Sequence, residues 1–197
     1  MEKNKIELKL YLSIIIVCSL LATIIISYSY KQNFFYSYLI MIIGIILVII
    51  IDGITAAICR LLPLKCADFN KNVYKVSKKE KKLYNAIKIK KWKERIPEIG
   101  HFTGFRKNEV KEPNNIEYIK RFLHEICYGE LGHFISCFTG FILLFIPWFN
   151  PIWFSMSLVI CLVNTILNIL PIFVLRYNSY TLLMIYNRLS KKGLLRN

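Results

Sequence analysis

Residues 124–148 read HEICYGELGHFISCFTGFILLFIPW, and their polarity changes once, at His133. Before that point stand two carboxylates, Glu125 and Glu130, and a second imidazole, His124. Beyond it the chain stays largely apolar as far as Leu175. On a helix Glu130 and His133 share a face, because residues three apart are neighbours there. An ionisable group at the rim of a bilayer is costly to desolvate, so its presence there points to function. The stretch reads as the mouth of a membrane span with reactive side chains at its edge.

The composition around it agrees. Of 197 residues 55% are hydrophobic, yet the formal net charge is +15 and the mean hydropathy is +0.44. Apolar and charged residues coexist at these levels only when segregated, and here long apolar runs alternate with Lys/Arg-rich connections. This is the pattern of an integral membrane protein with basic loops. The fold class is all-α and polytopic: four transmembrane helices as two hairpins, with a basic cytoplasmic loop carrying amphipathic helices. Four segments follow: an N-terminal transmembrane hairpin (1–58), a basic interfacial segment (59–123), a second hairpin with the site (124–175), and a basic amphipathic tail (176–197).

The first run, 10–28, is longer than the apolar part of a signal peptide and lacks a small-residue cleavage site before Lys31, so it reads as an uncleaved span. The second, 35–58, carries Asp52 one to two turns from its end. An aspartate at the centre of a span costs about 2.5–3.5 kcal/mol on insertion scales. Asp52 therefore either faces polar groups inside the bundle or reaches water at the interface. The third run, 134–149, is short; counted from Ile126 it is long enough to cross, and then encloses Glu130 and His133. After a turn at Asn150–Pro151 comes the fourth, 152–175, with Asn164 and Asn168 on one face and Pro171 near its end. Asparagines in a span seek partners within the bundle, and a proline loosens the backbone.

Between the hairpins, residues 75–95 (KVSKKEKKLYNAIKIKKWKER) intersperse Tyr84, Ile87, Ile89 and Trp92 with lysines, as in a short amphipathic helix on an anionic membrane surface. Basic residues with aromatics also occur in nucleic-acid binders, but the flanking spans hold this segment against lipid, and no nucleic-acid partner is expected. Pro97 ends the helix, and Gly100, His101 and Gly104 follow in a turn or loop. Asn115 is placed to cap a helix that enters the third span. Twenty-three of the 27 Lys/Arg lie in residues 59–123 and 176–197. The positive-inside rule then puts both termini and the large loop in the cytoplasm of a multi-pass cell-membrane protein. The six cysteines form no CxxC pair and read as small apolar packing residues.

That topology brings the start of span three, with Glu125, Glu130 and His133, to the same side as Arg176, Tyr177 and Asn178 at the end of span four. Three further motifs then bear on identity: KKWKERIPEIG at 90–100, Glu125-x4-Glu130-x2-His133, and Asn168 followed by Arg176-Tyr177-Asn178. In this order, over roughly residues 60–190, the chain resembles the glycosyl-4,4'-diaponeurosporenoate acyltransferase family, carotenoid-glycoside acyltransferases of bacterial pigment synthesis. The resemblance implies transfer of a fatty acyl group to a sugar hydroxyl of a membrane glycolipid. Its partners are then membrane lipids and an acyl donor, acyl-CoA or acyl-carrier protein; no further cofactor is implied, and oligomeric state is left open.

Acyl transfer to a hydroxyl needs a base for the hydroxyl proton and donors for the oxyanion. His133 is the candidate base, with Glu130 to orient or charge-balance it. Glu125 is about 12 Å from His133 along a helix, and Arg176 or Arg121 is its expected partner. Glu125, Arg176, Tyr177, Asn178 and Asn168 are candidates for substrate binding, as are Trp92, Lys93 and Pro97 on the loop. The plainer alternative is an interfacial network that holds two spans together in a non-enzymatic membrane subunit or lipid-binding scaffold. Glu130-x-x-His133 is also half of a di-iron carboxylate pattern, but the second Glu-x-x-His is missing and no metal is expected.

Overall fold

A computed structural model describes residues 2–96, 109–146 and 151–194. Its helices, in chain order, are α1 (Glu2–Ser29), α2 (Phe34–Leu61), α3 (Lys78–Ala86), α4 (Ile89–Trp92), α5 (Ile116–Thr139) and α6 (Pro151–Leu194). No strand occurs among the described residues. Four of the helices are long and apolar enough to cross a membrane, as the hydropathy pattern predicts. The expected loop around Pro97, Gly100 and His101, and the turn at Asn150, lie outside the described residues.

Helix starts follow local chemistry. Asn33 Oδ1 accepts from the amides of Phe35 and Tyr36 (2.9 and 3.2 Å) and caps α2, two residues past Lys31, which takes a positive φ of 52° in the short turn. Asn115 Oδ1 accepts from the amides of Glu117 and Tyr118 (3.1 and 3.2 Å), the cap expected for α5. Ser77 accepts from the Glu80 amide at the start of α3. The basic stretch is not one helix: Lys88 adopts left-handed backbone (φ 54°, ψ 40°) and separates α3 from α4. Of its apolar residues, Tyr84 and Ile89 are buried in the protein, whereas Ile87 remains exposed.

α6 is 44 residues long, about 66 Å at 1.5 Å per residue, twice the hydrocarbon thickness. It runs through Pro171 without ending. No break separates residue 175 from the basic tail. The tail stays helical because it has packing of its own: Ser179 and Leu182 are buried.

The described residues pack as two units. The first draws on Met1–Ile58 and Gly132–Ile169. Its core joins Ile26 of α1, Met41 and Val48 of α2, Leu143 after α5, and Trp153, Met156 and Cys161 of α6. Trp153 Nε1 donates to the Leu143 carbonyl at 2.8 Å, so the buried indole keeps its hydrogen bond. Contacts such as Thr165 with Cys137 (3.0 Å) and Trp153 with Leu143 run the two segments antiparallel, as a hairpin. The outward faces are apolar: Ile25, Ile49, Ile54, Phe138, Leu162 and Ile166 are all exposed. A belt of this kind fits hydrocarbon rather than water. The hydroxyls of Ser19, Thr23 and Ser27 on α1 donate back to carbonyls of their own helix. The described cysteines are free thiols, four of them buried.

The second unit draws on Cys59–Leu131 and Leu170–Asn197. Its core gathers Phe69, Tyr74, Ile119, Leu123, Cys127 and Leu182. α5 anchors the segment after α2 by two side chains: His124 Nδ1 lies 2.9 Å from the Ala67 carbonyl, and the Tyr128 hydroxyl donates to the Leu62 carbonyl at 2.8 Å. The Tyr74 hydroxyl donates to the Cys66 carbonyl, and burial pushes this phenol up to about 12.

Loss of the Asn115 cap tests this account of the start of α5. Asn115→Ala lowers stability by about 1 kcal/mol and Asn115→Asp is close to neutral, read as thermal unfolding in detergent; equal melting of Asn115→Ala and wild type contradicts the cap.

Candidate functional site

His133 projects from α5 toward α6 within the first unit. Its Nδ1 lies 2.8 Å from Oδ1 of Asn168. The Asn168 amide nitrogen faces acceptors: Asp52 Oδ2 at 3.0 Å, the Asn164 carbonyl at 3.1 Å and Asn164 Oδ1 at 3.2 Å. Those acceptors fix the amide orientation, and with it the tautomer of the imidazole. Nδ1 carries the proton and donates to Asn168; Nε2 is a bare acceptor, with no partner among the described residues. His133 is half-buried, so Nε2 is not sealed away.

Asp52 takes the first of its two sequence readings. Asn164 Nδ2 approaches its other oxygen at 3.4 Å and the Ser136 carbonyl at 3.3 Å. Both asparagines on the face of α6 are therefore spent on α2 and α5, which is why they sit at i and i+4. Gly140 makes room for this: a Cβ there would stand 3.1 Å from Asn164 Nδ2 and 3.2 Å from Val48. The result is a chain Asp52–Asn168–His133 inside an apolar bundle.

Glu130 has different company, within the second unit. Its Oε1 pairs with Nη1 of Arg176. The other edge of that guanidinium forks onto Glu80, with Nη2 3.0 Å from Oε2 and Nε on Oε1. Nη1 also donates to the Val73 carbonyl at 3.0 Å. Arg176 and Glu130 are only 16% and 10% exposed at their side chains, so this is a buried triad rather than a surface pair. The Tyr84 hydroxyl donates to Glu80 from one turn along α3. Burial pushes the Glu80 carboxyl up, but the hydrogen bonds from Arg176 and Tyr84 outweigh it and hold the group below the usual glutamate value. The same burial and the Glu80 contact push the Tyr84 phenol well up.

Tyr177 and Asn178, next on α6, meet the basic loop. Lys81 Nζ stands 3.4 Å from the centre of the Tyr177 ring and donates to the Tyr177 carbonyl at 3.1 Å. Lys93 Nζ donates to Asn178 Oδ1 at 3.2 Å. Trp92 turns its indole N–H to the Ile87 carbonyl at 3.0 Å, a local contact that closes α4 onto α3. Glu125 pairs with Arg60 at 3.1 Å, neither with Arg176 nor with Arg121. Its partner is the last basic residue of α2, which charge counting along α5 and α6 could not reveal. Pro97 lies outside the described residues. Among those residues no group of three His, Cys, Asp or Glu converges to hold a metal.

His133, Glu130, Asn168, Arg176, Tyr177, Asn178 and Lys93 are visible in the sequence as candidate site residues; Glu80, Lys81 and Tyr84 are not visible in that role. One signal pointed at Glu80: it is the single carboxylate in VSKKEKKL and stands three residues after the capping Ser77.

Four apolar helices, a histidine tied to an intramembrane aspartate, and an arginine between two glutamates define a multi-pass helical membrane protein with built polar sites. The chain belongs to the glycosyl-4,4'-diaponeurosporenoate acyltransferase family, whose family model matches residues 67–188. That span contains Glu80, Glu130, His133, Asn168 and Arg176; Asp52 precedes it. Searches of curated proteins and of solved structures return no match. Family membership makes acyl transfer the supported activity class.

Removing Arg176 leaves two carboxylates without their cation. Arg176→Met is expected to cost about 3–5 kcal/mol, and Glu80→Gln with Glu130→Gln in the same chain to recover part of it; thermal unfolding in detergent measures both. A mild Arg176→Met phenotype contradicts the buried triad. Acid acts on the same contact. A carboxylate depressed on folding contributes stability above its ordinary pKa and loses it as pH falls through the folded value. The Glu80 contribution therefore persists at pH 5 and disappears only below 4.5, the ordinary glutamate value. A pH titration of melting temperature in wild type against Glu80→Gln reads it.

Proposed function

We propose that the protein moves a fatty acyl group from an activated donor, acyl-CoA or acyl-carrier protein, to a hydroxyl of a membrane glycolipid at the cytoplasmic interface. The observation that carries the reading is the Asp52–Asn168–His133 chain. It presents Nε2 as an acceptor while the other ring nitrogen is tied to a group that is itself oriented. General bases are built this way, because the fixed partner sets both ring orientation and tautomer.

His133 Nε2 takes the proton of the acceptor hydroxyl as its oxygen attacks the thioester carbonyl. The tetrahedral intermediate collapses with cleavage of the C–S bond. The leaving thiolate takes the proton back from the imidazolium, giving an O-acyl lipid and free thiol. Asp52 supplies negative charge through Asn168 while the imidazolium exists. In this reading Glu130 and Arg176 are positioning residues that pin the Val73–Glu80 segment, and Glu125 with Arg60 pins the end of α2. The excess of Lys/Arg in residues 59–123 and 176–197 supports a cytoplasmic position for the loop and both termini.

The saturation of Arg176 by two glutamates gives the scaffold alternative its one specific support, since that triad has no spare donor edge for a substrate. The two readings part on lipid composition. Cells expressing wild type gain an acylated glycolipid, and His133→Ala at matched membrane levels lowers the product by about 10²–10⁴-fold, the usual worth of a general base. Asn168→Leu, which frees the ring, gives a smaller loss. Identical lipid profiles for wild type and His133→Ala, with both proteins folded, favour the scaffold.

A further inference from the structure

The basic loop sorts its charges by direction. Of the two carboxylates in residues 71–95, Glu80 is turned inward onto Arg176 and Glu94 is half-buried. Lys78, Lys79 and Lys82 on α3, and Lys88, Lys90 and Lys91 at α4, are exposed instead. Among the described residues none of these six pairs with a carboxylate. Helix spacing explains the sorting. Glu80, Lys81 and Tyr84 turn to α6, where they meet Arg176, Tyr177 and Phe173. The opposite side of α3 is left with lysines and with Leu83, which is 56% exposed; Ile87, one turn on, is exposed as well. The outward face is thus uniformly positive with two apolar side chains in its midst.

Neither topology nor anchoring accounts for this face. Charges that orient spans lie within about 15–20 residues of them. Lys82 to Lys91 lie farther than that from Leu61 and from Ile116, where the flanking spans end and begin. Four spanning helices already hold the chain in a bilayer, so further affinity for lipid adds nothing to anchoring. Tyr84 and Ile89, which would serve best to enter lipid, are packed within the protein. A small anion is bound in a concave site by converging donors. Here the ammoniums spread along the outside of two helices, of which α3 alone is about 13 Å long. An extended convex surface of one sign, with an apolar centre, is complementary to an acidic protein: carboxylates meet the lysines and an apolar side chain meets Leu83 and Ile87.

We propose that the outward face of α3 and α4 docks an acidic acyl-carrier protein, so that a carrier-borne thioester rather than acyl-CoA is the donor. The donor assignment rests on the acyl-transfer reading; docking itself rests on the lysine face alone. Association of this kind is steered by charge and is therefore fast at low salt and weakened by added salt.

The test titrates the full-length protein, held in phosphatidylcholine nanodiscs, with an acyl-carrier protein bearing a palmitoyl thioester; interferometry reads binding. Lys78→Glu, Lys79→Glu and Lys82→Glu combined weaken it by about tenfold or more, several exposed pairs being lost together. Two of these changes place acid in the first turn of α3, which the helix dipole favours. Should the combined variant fail to fold, Lys90→Gln with Lys91→Gln decides. Lys191→Glu with Lys192→Glu, exposed cations of the tail, leaves binding unchanged. In the transfer assay the α3 variant loses kcat/KM with the carrier-borne donor and keeps it with acyl-CoA. No binding, or binding indifferent to the α3 and α4 variants, overturns the docking face and leaves acyl transfer from acyl-CoA intact. Protection of residues 78–91 from trypsin by phosphatidylglycerol in the discs, with no carrier binding, makes the face a lipid contact and also overturns it. Variant-sensitive binding without acyl transfer from either donor supports the face and removes the acyltransferase reading instead.

Discussion

An aspartate in an apolar helix must find hydrogen-bond partners on its neighbours, because lipid offers none. Asp52 imposes that requirement on the first unit. Asn164 and Asn168 meet it from α6, the Ser136 carbonyl takes up an amide hydrogen left over, and Gly140 clears the space. His133 then inherits its orientation from an amide that has no freedom to flip. The same polar contacts that make the aspartate tolerable therefore produce an imidazole with one fixed and one open nitrogen. Stability and chemistry share these atoms, and a change at Asn168 affects both.

The second unit solves a related problem by different means. Its connecting segment is strongly basic, with buried apolar residues such as Phe69 and Tyr74 set among the lysines. Arg176 does the anchoring by holding Glu80 from the loop and Glu130 from α5, with the Val73 carbonyl as a further acceptor. Tyr84 and Ile89 add buried apolar contact. Such a buried triad contributes more to defining one arrangement than to net stability, since desolvation offsets much of the attraction. Here the arrangement so defined is the placement of Lys81 and Lys93 against Tyr177.

Much of this was legible in the sequence, and the reasons are local. Spanning length and Lys/Arg segregation report the number of helices directly, and Asn115 announced the start of α5. His133 and Glu130 stood out because ionisable groups are rare beside an apolar run. Their division between two sets of partners was not legible. Three-residue spacing says that two side chains share a face; it does not say what lies opposite each. Arg60 as the partner of Glu125, and Glu80 as that of Arg176, are 65 and 96 residues away in the chain, beyond any periodicity. The continuity of α6 was hidden for another reason. A proline and a change from apolar to basic both look like an end, yet packing of Ser179 and Leu182 carries the helix onward.

Chemical rescue tests the central claim most directly. His133→Gly, purified and reconstituted with a glycolipid and a labelled acyl-CoA, is predicted to transfer almost no label until imidazole is added. Activity then rises with the concentration of imidazole free base, because the added ring takes the place of the lost one. Transfer at the wild-type rate by His133→Gly without imidazole would contradict the account, and His133 would then be a packing residue of the bundle.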